Sequence, residues 1–268
     1  MIELPGRLVL LGHPVAHSLS PRFQNAALLA AGIPLKYEAI DVVPDDLPAM
    51  ARLLAVSRGA GNVTVPHKEA FAECCAVLSP VARRTGAVNT FWTENGELVG
   101  DNTDVGGFDT AVRETVGVPQ EAFAVAILGA GGAASAVLAA VERWEGATAR
   151  IWSRTAARAD RLAERYPRIA KVEWSLADAL RGTRLVVNAT PMGMMHDDIP
   201  VDPSLIPAGA GAFDMVYRRG GTPWVHACRG HGVPASDGLP MLVAQGALAF
   251  ERWFGLRPDR NVMREACE

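Results

Sequence analysis

Lysine is scarce in this 268-residue chain, although basic residues as a class are not. Of the 26 basic residues, only Lys36, Lys68 and Lys171 are lysines, and the other 23 are arginines. A preference for arginine codons is enough to explain the imbalance. Arginine keeps its proton at any accessible pH, whereas the surroundings of a lysine can tune it to release one. A lysine that remains in such a chain is therefore worth testing as a site of proton transfer.

Cysteine and net charge are also low. The four cysteines form no C-x-x-C pair and are too few for a disulfide scaffold of this size, which favours a reducing cytoplasm. A net charge of −3 offers no electrostatic footprint for nucleic acid, and 49% apolar residues exclude a disordered chain. The first residues lack the basic start and apolar core of a signal peptide, so we expect a cytoplasmic protein.

One uncharged stretch, residues 122–141, has the length of a membrane span. A β-prone run, residues 123–128, opens the stretch, and a glycine-rich turn and an alanine-rich helical run, residues 135–141, follow it. A strand, a turn and a closely packed helix explain this pattern without lipid. We therefore predict no membrane partner.

Short apolar runs alternate with helical patterns along the chain. The predicted strands are 8–11, 37–43, 62–65, 123–128, 149–152, 185–188, 212–216 and 233–235, with a hairpin of 88–93 and 97–100 around Asn95-Gly96. The predicted helices are 20–31, 45–56, 105–116, 135–141 and 241–254, the first with Ser20 at its N-cap and Pro21 at N1. This alternation predicts an α/β protein whose parallel sheets are covered by helices on both faces.

The glycine-rich turn fits the dinucleotide fingerprint G-x-G-x-x-G/A, with Gly129 and Gly131 followed by Ala134. The first glycine allows the tight turn, the second lets a pyrophosphate approach the backbone, and the small third residue lets helix and strand pack closely. The motif is weak alone, but here it follows a predicted strand and opens a predicted helix, which is the context that supports it. The turn therefore predicts a dinucleotide site.

The end of the next predicted strand bears on the choice of dinucleotide. An NAD site usually has an acid there for the ribose 2′-hydroxyl, but this strand ends in Ser153-Arg154-Thr155, with Arg158 one helical turn later. Two guanidinium groups and a hydroxyl form a natural clamp for a 2′-phosphate. We therefore predict NADP rather than NAD, the alternative being that both arginines are merely solvated helix residues.

Four segments of the first half carry polar residues at predicted strand ends, where α/β enzymes place their sites. Ser18 and Ser20 lie beside a helix N-terminus, which suits a carboxylate, although Ser20 by itself would be explained as a helix cap. Lys68 follows a strand behind a rigid proline, and Asn89 lies in a short turn segment. Asp104 is the fourth, with helix capping as its alternative.

Metal and serine-hydrolase chemistry have little support. The segment around Asp104 fails the calcium-loop pattern, because valines occupy positions that need oxygen ligands. His226, Cys228 and His231 lack a fourth ligand at sensible spacing, and no G-x-S-x-G is present. We predict no metal site.

Taken together and in this order, the segments closely resemble the shikimate dehydrogenase family. The resemblance spans about residues 10–250 and rests on G-H-P-V-A-H-S-L-S-P, N-V-T-V-P-H-K, G-A-V-N-T, G-D-N-T-D, G-A-G-G-A-A, S-R-T-A-A-R, N-A-T-P-M-G, D-M-V-Y and D-G-L-P-M-L-V-A-Q-G-A. It implies reversible, NADP-linked interconversion of 3-dehydroshikimate and shikimate in aromatic amino-acid (chorismate) biosynthesis. The implied partners are therefore small molecules, shikimate or 3-dehydroshikimate and NADP.

The resemblance also implies a role for each matching residue. It makes Lys68 and Asp104 the catalytic pair that handles the proton. Its implied substrate-binding residues are Ser18, Ser20, Thr64, Asn89, Tyr217 and Gln245, with Asp104 also close to the ring. Its implied cofactor-binding residues are Gly129, Gly131, Gly132, Ala133, Ser153, Arg154, Thr155, Arg158, Met215 and Gly238.

The resemblance further implies two domains. Residues 1–104 with 239–268 are expected to form an α/β substrate domain, and residues 105–238 a Rossmann-type NADP domain. The site is expected in the cleft between the two. The chain is expected to act as a monomer or a homodimer.

Two positions depart from the common family pattern. Gln24 stands where many members have His, and the pair Gln24-Asn25 resembles the related quinate/shikimate dehydrogenases. Ser153 stands where Asn is commoner. A quinate/shikimate dehydrogenase or an aminoshikimate-type paralogue therefore stays open as an alternative. A non-catalytic NADP-binding sensor on the same fold is the alternative from another class, although a sensor would not need Lys68, Asp104 and the two serines together.

Overall fold

A computed structural model of the chain describes residues 4–119 and 121–268. Its strands are β1 (Arg7–Gly12), β2 (Tyr37–Asp41), β3 (Gly59–Val63), β4 (Val77–Leu78), β5 (Thr90–Glu94), β6 (Glu97–Asp101), β7 (Phe123–Leu128), β8 (Ala147–Trp152), β9 (Ala170–Val172), β10 (Thr183–Asn188), β11 (Gly211–Asp214) and β12 (Ala235–Ser236). Its helices are α1 (Ser20–Ala30), α2 (Leu47–Val56), α3 (Lys68–Cys74), α4 (Pro80–Thr85), α5 (Asp104–Thr115), α6 (Gly132–Val141), α7 (Ala156–Arg165), α8 (Leu176–Leu180), α9 (Pro223–Gly230), α10 (Leu239–Phe254) and α11 (Arg260–Glu265). Short 3-10 turns occupy Pro44–Asp46 and Pro203–Leu205.

The chain divides into two compact units. The first unit is Met1–Gly107 with Leu242–Glu268, and the second is Phe108–Met241. Both divisions fall inside helices, α5 and α10, rather than in the loops that sequence composition would favour. A helix that belongs partly to each unit has no glycine- or proline-rich linker to mark the change.

The first unit is built on a mixed six-stranded sheet. Its strand order is β2-β1-β3-β5-β6-β4. The pairs β1–β2, β1–β3 and β4–β6 are parallel, whereas β5 runs antiparallel to both β3 and β6. The antiparallel pair β5–β6 corresponds to the hairpin predicted around Asn95-Gly96, and it makes this sheet mixed rather than wholly parallel.

Strand β3 begins three residues earlier than the predicted start at 62, at Gly59. It is completely buried, and a β carbon on Gly61 would lie 1.9 Å from the carbonyl oxygen of Val9. Gly61 is thus required for the close approach of β3 to β1. Apolar side chains such as Phe71 and Phe91 complete the core beside this sheet.

The second unit contains a parallel six-stranded sheet of Rossmann order, β12-β11-β10-β7-β8-β9. Strand β7 occupies the predicted residues 123–128, and all six of its residues are buried. Helix α6 follows it directly and is ten residues long. Within the described residues, no helix has the length and apolarity needed to cross a membrane.

The start of helix α1 differs from the prediction. Ser20 is the first residue of the helix and Leu19 occupies the N-cap position, where no side chain caps the helix. Ser18 Oγ instead accepts a hydrogen bond from the Ser20 backbone N–H at 3.2 Å. Ser20 is therefore not the N-cap, and its hydroxyl is not used to cap α1.

Candidate active site

Lys68 and Asp104 form an ion pair in the first unit. Lys68 is the first residue of α3, shortly after β3, and Asp104 is the first residue of α5, shortly after β6. Lys68 Nζ lies 2.6 Å from Asp104 Oδ2, and the two side chains are 23% and 10% exposed. The ammonium group thus retains access to solvent while its partner is almost buried.

Asn89 holds the other oxygen of the Asp104 carboxylate. Its Nδ2 donates to Asp104 Oδ1 at 2.8 Å and lies 3.1 Å from Gln245 Oε1. Its Oδ1 accepts from the Thr103 backbone N–H at 2.7 Å. The structure therefore brings together three of the predicted substrate and catalytic residues, Asn89, Asp104 and Gln245, with Lys68 bonded to the same carboxylate.

A second layer of polar residues supports Asp104 from behind. The Asp104 backbone N–H donates to Asn102 Oδ1 at 3.1 Å, and the Asn102 N–H donates to Asp101 Oδ1 at 2.7 Å. Asp101 Oδ2 accepts from Arg252 Nε on α10 at 2.9 Å, and Ser79 Oγ also donates to this carboxylate. Sequence reasoning named the D-N-T-D segment but gave these residues no role, and nothing in the sequence connects them to Arg252.

Replacing Arg252 with methionine is expected to lower the free energy of unfolding by about 1 kcal/mol and Tm by about 2–4 °C. Asp101 is buried with its side chain 4% exposed, so loss of the guanidinium leaves its charge with fewer donors, while Arg252 itself is 58% exposed, which limits the effect. Thermal denaturation followed by circular dichroism measures it. The control is Arg257→Met, because Arg257 is 87% exposed and forms an ion pair with Glu251. Equal shifts in both variants would contradict a supporting role for Arg252.

Ser18, Ser20 and Thr64 lie at the same edge of the first sheet as Lys68. Strands β1 and β3 are parallel neighbours, so the loops after them meet at their carboxyl ends. The Thr64 N–H donates to the Leu11 carbonyl at 2.8 Å, which fixes the start of the second loop against β1. Ser20 is buried and Ser18 half-buried, on the loop and first turn that lead into α1.

The glycine turn of the second unit is open at the helix N-terminus. The Gly129 N–H donates to the Trp152 carbonyl at 2.8 Å, and its φ of +114° places a β carbon 2.8 Å from the Ala189 carbonyl, so only glycine fits. A β carbon on Gly131 or Gly132, by contrast, would meet nothing within 4 Å. No side chain caps α6, whose first turn has no acid. The residues present therefore fit a diphosphate, with Ala133 beside it in the first turn.

The end of β8 presents exposed cations without a carboxylate. Arg154 and Arg158 are exposed, and within the described part of the chain their side chains form no hydrogen bond or ion pair. Ser153 Oγ accepts from the Thr155 N–H at 3.2 Å, which fixes the turn into α7. Free guanidinium groups fit the 2′-phosphate of NADP, and the absence of an acid on this turn disfavours the ribose contact typical of NAD.

Met215 and Gly238 are neighbours in the second unit, as their common predicted role requires. The Gly238 N–H donates to the Val216 carbonyl at 2.9 Å, and a β carbon on Gly238 would lie 2.5 Å from the Met215 carbonyl oxygen. Tyr217 follows and is half-buried. A larger residue than glycine at 238 would therefore displace the segment that carries Met215 and Tyr217.

Metal and thiol chemistry find no support in the described residues. No group of three His, Cys, Asp or Glu side chains there could hold a metal ion. Burial raises the pKa of the Cys75 and Cys228 thiols to about 12. Neither thiol would be a thiolate nucleophile at neutral pH.

Comparisons with known proteins identify the family. The model of the shikimate dehydrogenase substrate binding domain matches residues 10–91, and that of the shikimate 5′-dehydrogenase C-terminal domain matches residues 238–268. Shikimate dehydrogenase (NADP(+)) of Methylobacterium radiotolerans is 43% identical over 263 residues, which cover 94% of this chain and 92% of that protein.

Solved structures agree with the sequence comparisons. Shikimate 5-dehydrogenase of Thermus thermophilus, solved in complex with NADP(H) and shikimate, has a TM-score of 0.88 at 40% identity, covering 99% of this chain and 98% of that one. Quinate dehydrogenase of Corynebacterium glutamicum, solved with NAD, has a TM-score of 0.88 at 29% identity, covering 98% and 99%. On the identity and coverage of its relatives, the chain belongs to the shikimate dehydrogenase (NADP+) family.

Proposed function

We propose that Lys68 and Asp104 move the proton in the reaction of this family, the NADP-linked interconversion of 3-dehydroshikimate and shikimate. The observation that carries the proposal is the 2.6 Å contact between Lys68 Nζ and an Asp104 carboxylate that Asn89 also holds. A hydrogen-bonded acid–base pair on one rigid edge of a sheet is the arrangement that proton transfer requires.

The reaction divides the work between the cofactor and the chain. Oxidising a secondary alcohol removes the hydroxyl proton and the hydride on the same carbon, and NADP, when bound, accepts the hydride. Lys68 Nζ, after passing its own proton to solvent, takes the hydroxyl proton as the neutral amine, and in the reverse direction the ammonium group gives a proton to the carbonyl oxygen. Asp104 orients Lys68 through Oδ2 and binds a neighbouring hydroxyl of the ring.

The remaining polar residues bind the ring and its carboxylate. Ser18 and Ser20 donate hydroxyls to the substrate carboxylate beside the N-terminus of α1. Thr64, Asn89, Tyr217 and Gln245 bind the ring hydroxyls. The 3.1 Å contact between Asn89 Nδ2 and Gln245 Oε1 supports the roles of these two residues, because it aligns their amides within the first unit.

The second unit holds the residues assigned to NADP, and the first unit holds those assigned to the substrate except Tyr217, which lies in the second unit. The turn of Gly129, Gly131, Gly132 and Ala133 would hold the diphosphate, and Ser153, Arg154, Thr155 and Arg158 would hold the 2′-phosphate. Met215 and Gly238 would contact the nicotinamide. The open N-terminus of α6 and the unpaired arginines support this assignment. The enzyme is proposed to act in the cytoplasm as a monomer or a homodimer.

Quinate is the second candidate substrate. Gln24, which departs from the common family pattern, is completely buried, and its Nε2 donates to the Gly246 carbonyl at 3.0 Å, directly beside Gln245. A change at this position therefore bears on the backbone that presents Gln245 to the ring. The similarity to a quinate dehydrogenase at 29% identity keeps this candidate open.

Steady-state assays with shikimate and quinate, each with NADP+ and NAD+, test the proposed function. We expect kcat/KM to be highest for shikimate with NADP+, by at least about tenfold over quinate, because the site is built to bond the groups of one ring. Preference for quinate would favour the second candidate. Tight NADP+ binding without turnover of either ring acid, or of an amino-substituted analogue, would indicate a sensor instead.

A further inference from the structure

Asp214, the last residue of β11, is a completely buried carboxylate that accepts three hydrogen bonds. Its Oδ1 accepts from Asn188 Nδ2 at 2.8 Å and from the Val216 backbone N–H at 3.0 Å. Its Oδ2 accepts from Thr222 Oγ1 at 2.7 Å. All three donors are neutral, so the charge is stabilised here by dipoles alone.

The residues that follow, 215–217, form a short segment that we call the Met215 arm. The Met215 N–H donates to the Asn188 carbonyl at 2.9 Å, which ties the arm to β10. On the other side, the Val216 carbonyl accepts from the Gly238 N–H at 2.9 Å, which ties it to the segment before α10. The arm is thus held between two neighbours, and the Asp214 carboxylate fixes its base through the Val216 N–H.

The surroundings of Asp214 disfavour its charge. Burial raises its pKa to about 6, against the opposing effect of its three hydrogen bonds. Asp237, beyond β12, is a like charge that raises the pKa further, and Cys228 on α9 stays a neutral thiol because burial raises its pKa to about 12. Strand β10 contributes the neutral Asn188. The ionised form at neutral pH therefore depends on the hydrogen bonds that hold the arm.

We propose that Asp214 is a positioning residue for the reaction, whose ionised carboxylate holds the Met215 arm where Met215 meets the nicotinamide and Tyr217 meets the substrate. The inference rests on the roles proposed above for these two side chains. Asp214 acts on the reaction through the arm and through β10, and takes no part in proton or hydride transfer.

Protonation weakens this support in a defined way. A neutral carboxyl accepts weaker hydrogen bonds than a carboxylate, and its own O–H would face the Thr222 hydroxyl, which could then no longer donate to it. The arm is therefore held firmly above pH 6 and loosens as the pH falls through about 6. Protonation has the opposite effect on folding stability, which it increases. The raised pKa means that the folded protein binds this proton more tightly than the unfolded chain does. Removing the charge is thus not expected to lower Tm.

Asp214→Asn is a permanent mimic of the protonated form. At pH 8 we expect its KM for shikimate to rise by about tenfold with kcat within about threefold of the wild type, since a charge-assisted hydrogen bond contributes roughly one such factor. The fall in kcat/KM of the wild type below about pH 6 should be missing in the variant. The control is Asp202→Asn, an exposed acid of the same unit that accepts from the Ser204 N–H.

Hydrogen–deuterium exchange of residues 213–219 at pH 8 measures how firmly the Met215 arm is held, independently of turnover. Faster exchange in Asp214→Asn, with unchanged Tm, supports the positioning role. Unchanged exchange, or equal losses of kcat and Tm, would overturn it. Faster exchange with unchanged KM would instead contradict the roles proposed for Met215 and Tyr217. A Lys68→Ala enzyme that keeps its turnover would contradict the proposed chemistry. The failure of this inference and the failure of the proposed function are therefore distinguishable.

Discussion

Replacing Lys68 with alanine is expected to lower kcat for shikimate oxidation by about 10²- to 10⁴-fold, the usual contribution of a positioned general acid–base group. The ammonium group lies 2.6 Å from Asp104 Oδ2 and is 23% exposed, so it is both oriented and accessible to a substrate hydroxyl. No other lysine lies at this edge of the sheet, because Lys36 precedes β2 and Lys171 lies on β9. Initial rates with saturating NADP+ measure the effect.

Two further variants separate charge from proton transfer. Lys68→Arg keeps a cation beside Asp104 but cannot release its proton at accessible pH, so its kcat should also fall by at least about 10²-fold. Lys36→Ala removes an exposed lysine of the same unit, which pairs with Glu38 at 2.8 Å, and should leave kcat unchanged. Full turnover by Lys68→Arg would exclude a proton-transfer role, whatever the result for alanine.

The fold class is confirmed, and the second unit was the more predictable half. Strand β7 matches its prediction because an apolar run of six residues, followed by a glycine turn, favours a buried strand, and all six residues are buried. Strands β4 and β9, of two and three residues, were not predicted. A run that short carries no periodicity, and pairing with β6 or β8 makes it a strand.

The first unit shows where local signals fail. Gly59 and Gly61 precede the predicted strand start at 62, yet they lie inside β3, because a side chain on Gly61 would meet the backbone of β1 and one on Gly59 would meet Leu54 of α2. Ser20 before Pro21 resembles an N-cap, yet the helix already includes Ser20. At Gly61 the packing of a neighbouring strand overrides a rule that depends only on nearby residues, whereas at Ser20 the difference is local, because Ser18 Oγ accepts from the Ser20 backbone N–H.

The site was predictable in its residue types but not in its connections. Lys68, Asn89 and Asp104 stand in recognisable segments, and they converge because β3 and β6, which precede Lys68 and Asp104, end where the antiparallel β5 begins after Asn89. The bond from Arg252 to Asp101 joins residues 151 positions apart and has no local signal. In the sequence, Asp214 is recognisable only as the first residue of the D-M-V-Y motif. Its role as an acceptor of three hydrogen bonds depends on donors from β10 and from the start of α9.

Replacing Arg154 and Arg158 together with alanine is expected to raise KM for NADP+ by about 10²-fold and to leave KM for NAD+ within about threefold. Each guanidinium can form charge-assisted hydrogen bonds with the 2′-phosphate, which NAD lacks. Both side chains are exposed and have no partner among the described residues, so no ion pair is broken and Tm should not change. Steady-state rates at fixed ionic strength measure the ratio, with Arg168→Ala as an exposed-arginine control in the same unit.

The outcome distinguishes the clamp from general attraction. If the arginines act only by raising the local positive potential, KM for NAD+ should rise as well, since its diphosphate is also anionic, and added salt should abolish the difference. A clamp predicts a loss confined to NADP+. Adding Ser153→Asp to the double variant sharpens the test, because an acid at the end of β8 can bond the ribose 2′-hydroxyl and repels a 2′-phosphate. The triple variant should then prefer NAD+, and continued preference for NADP+ would show that the 2′-phosphate is bound elsewhere.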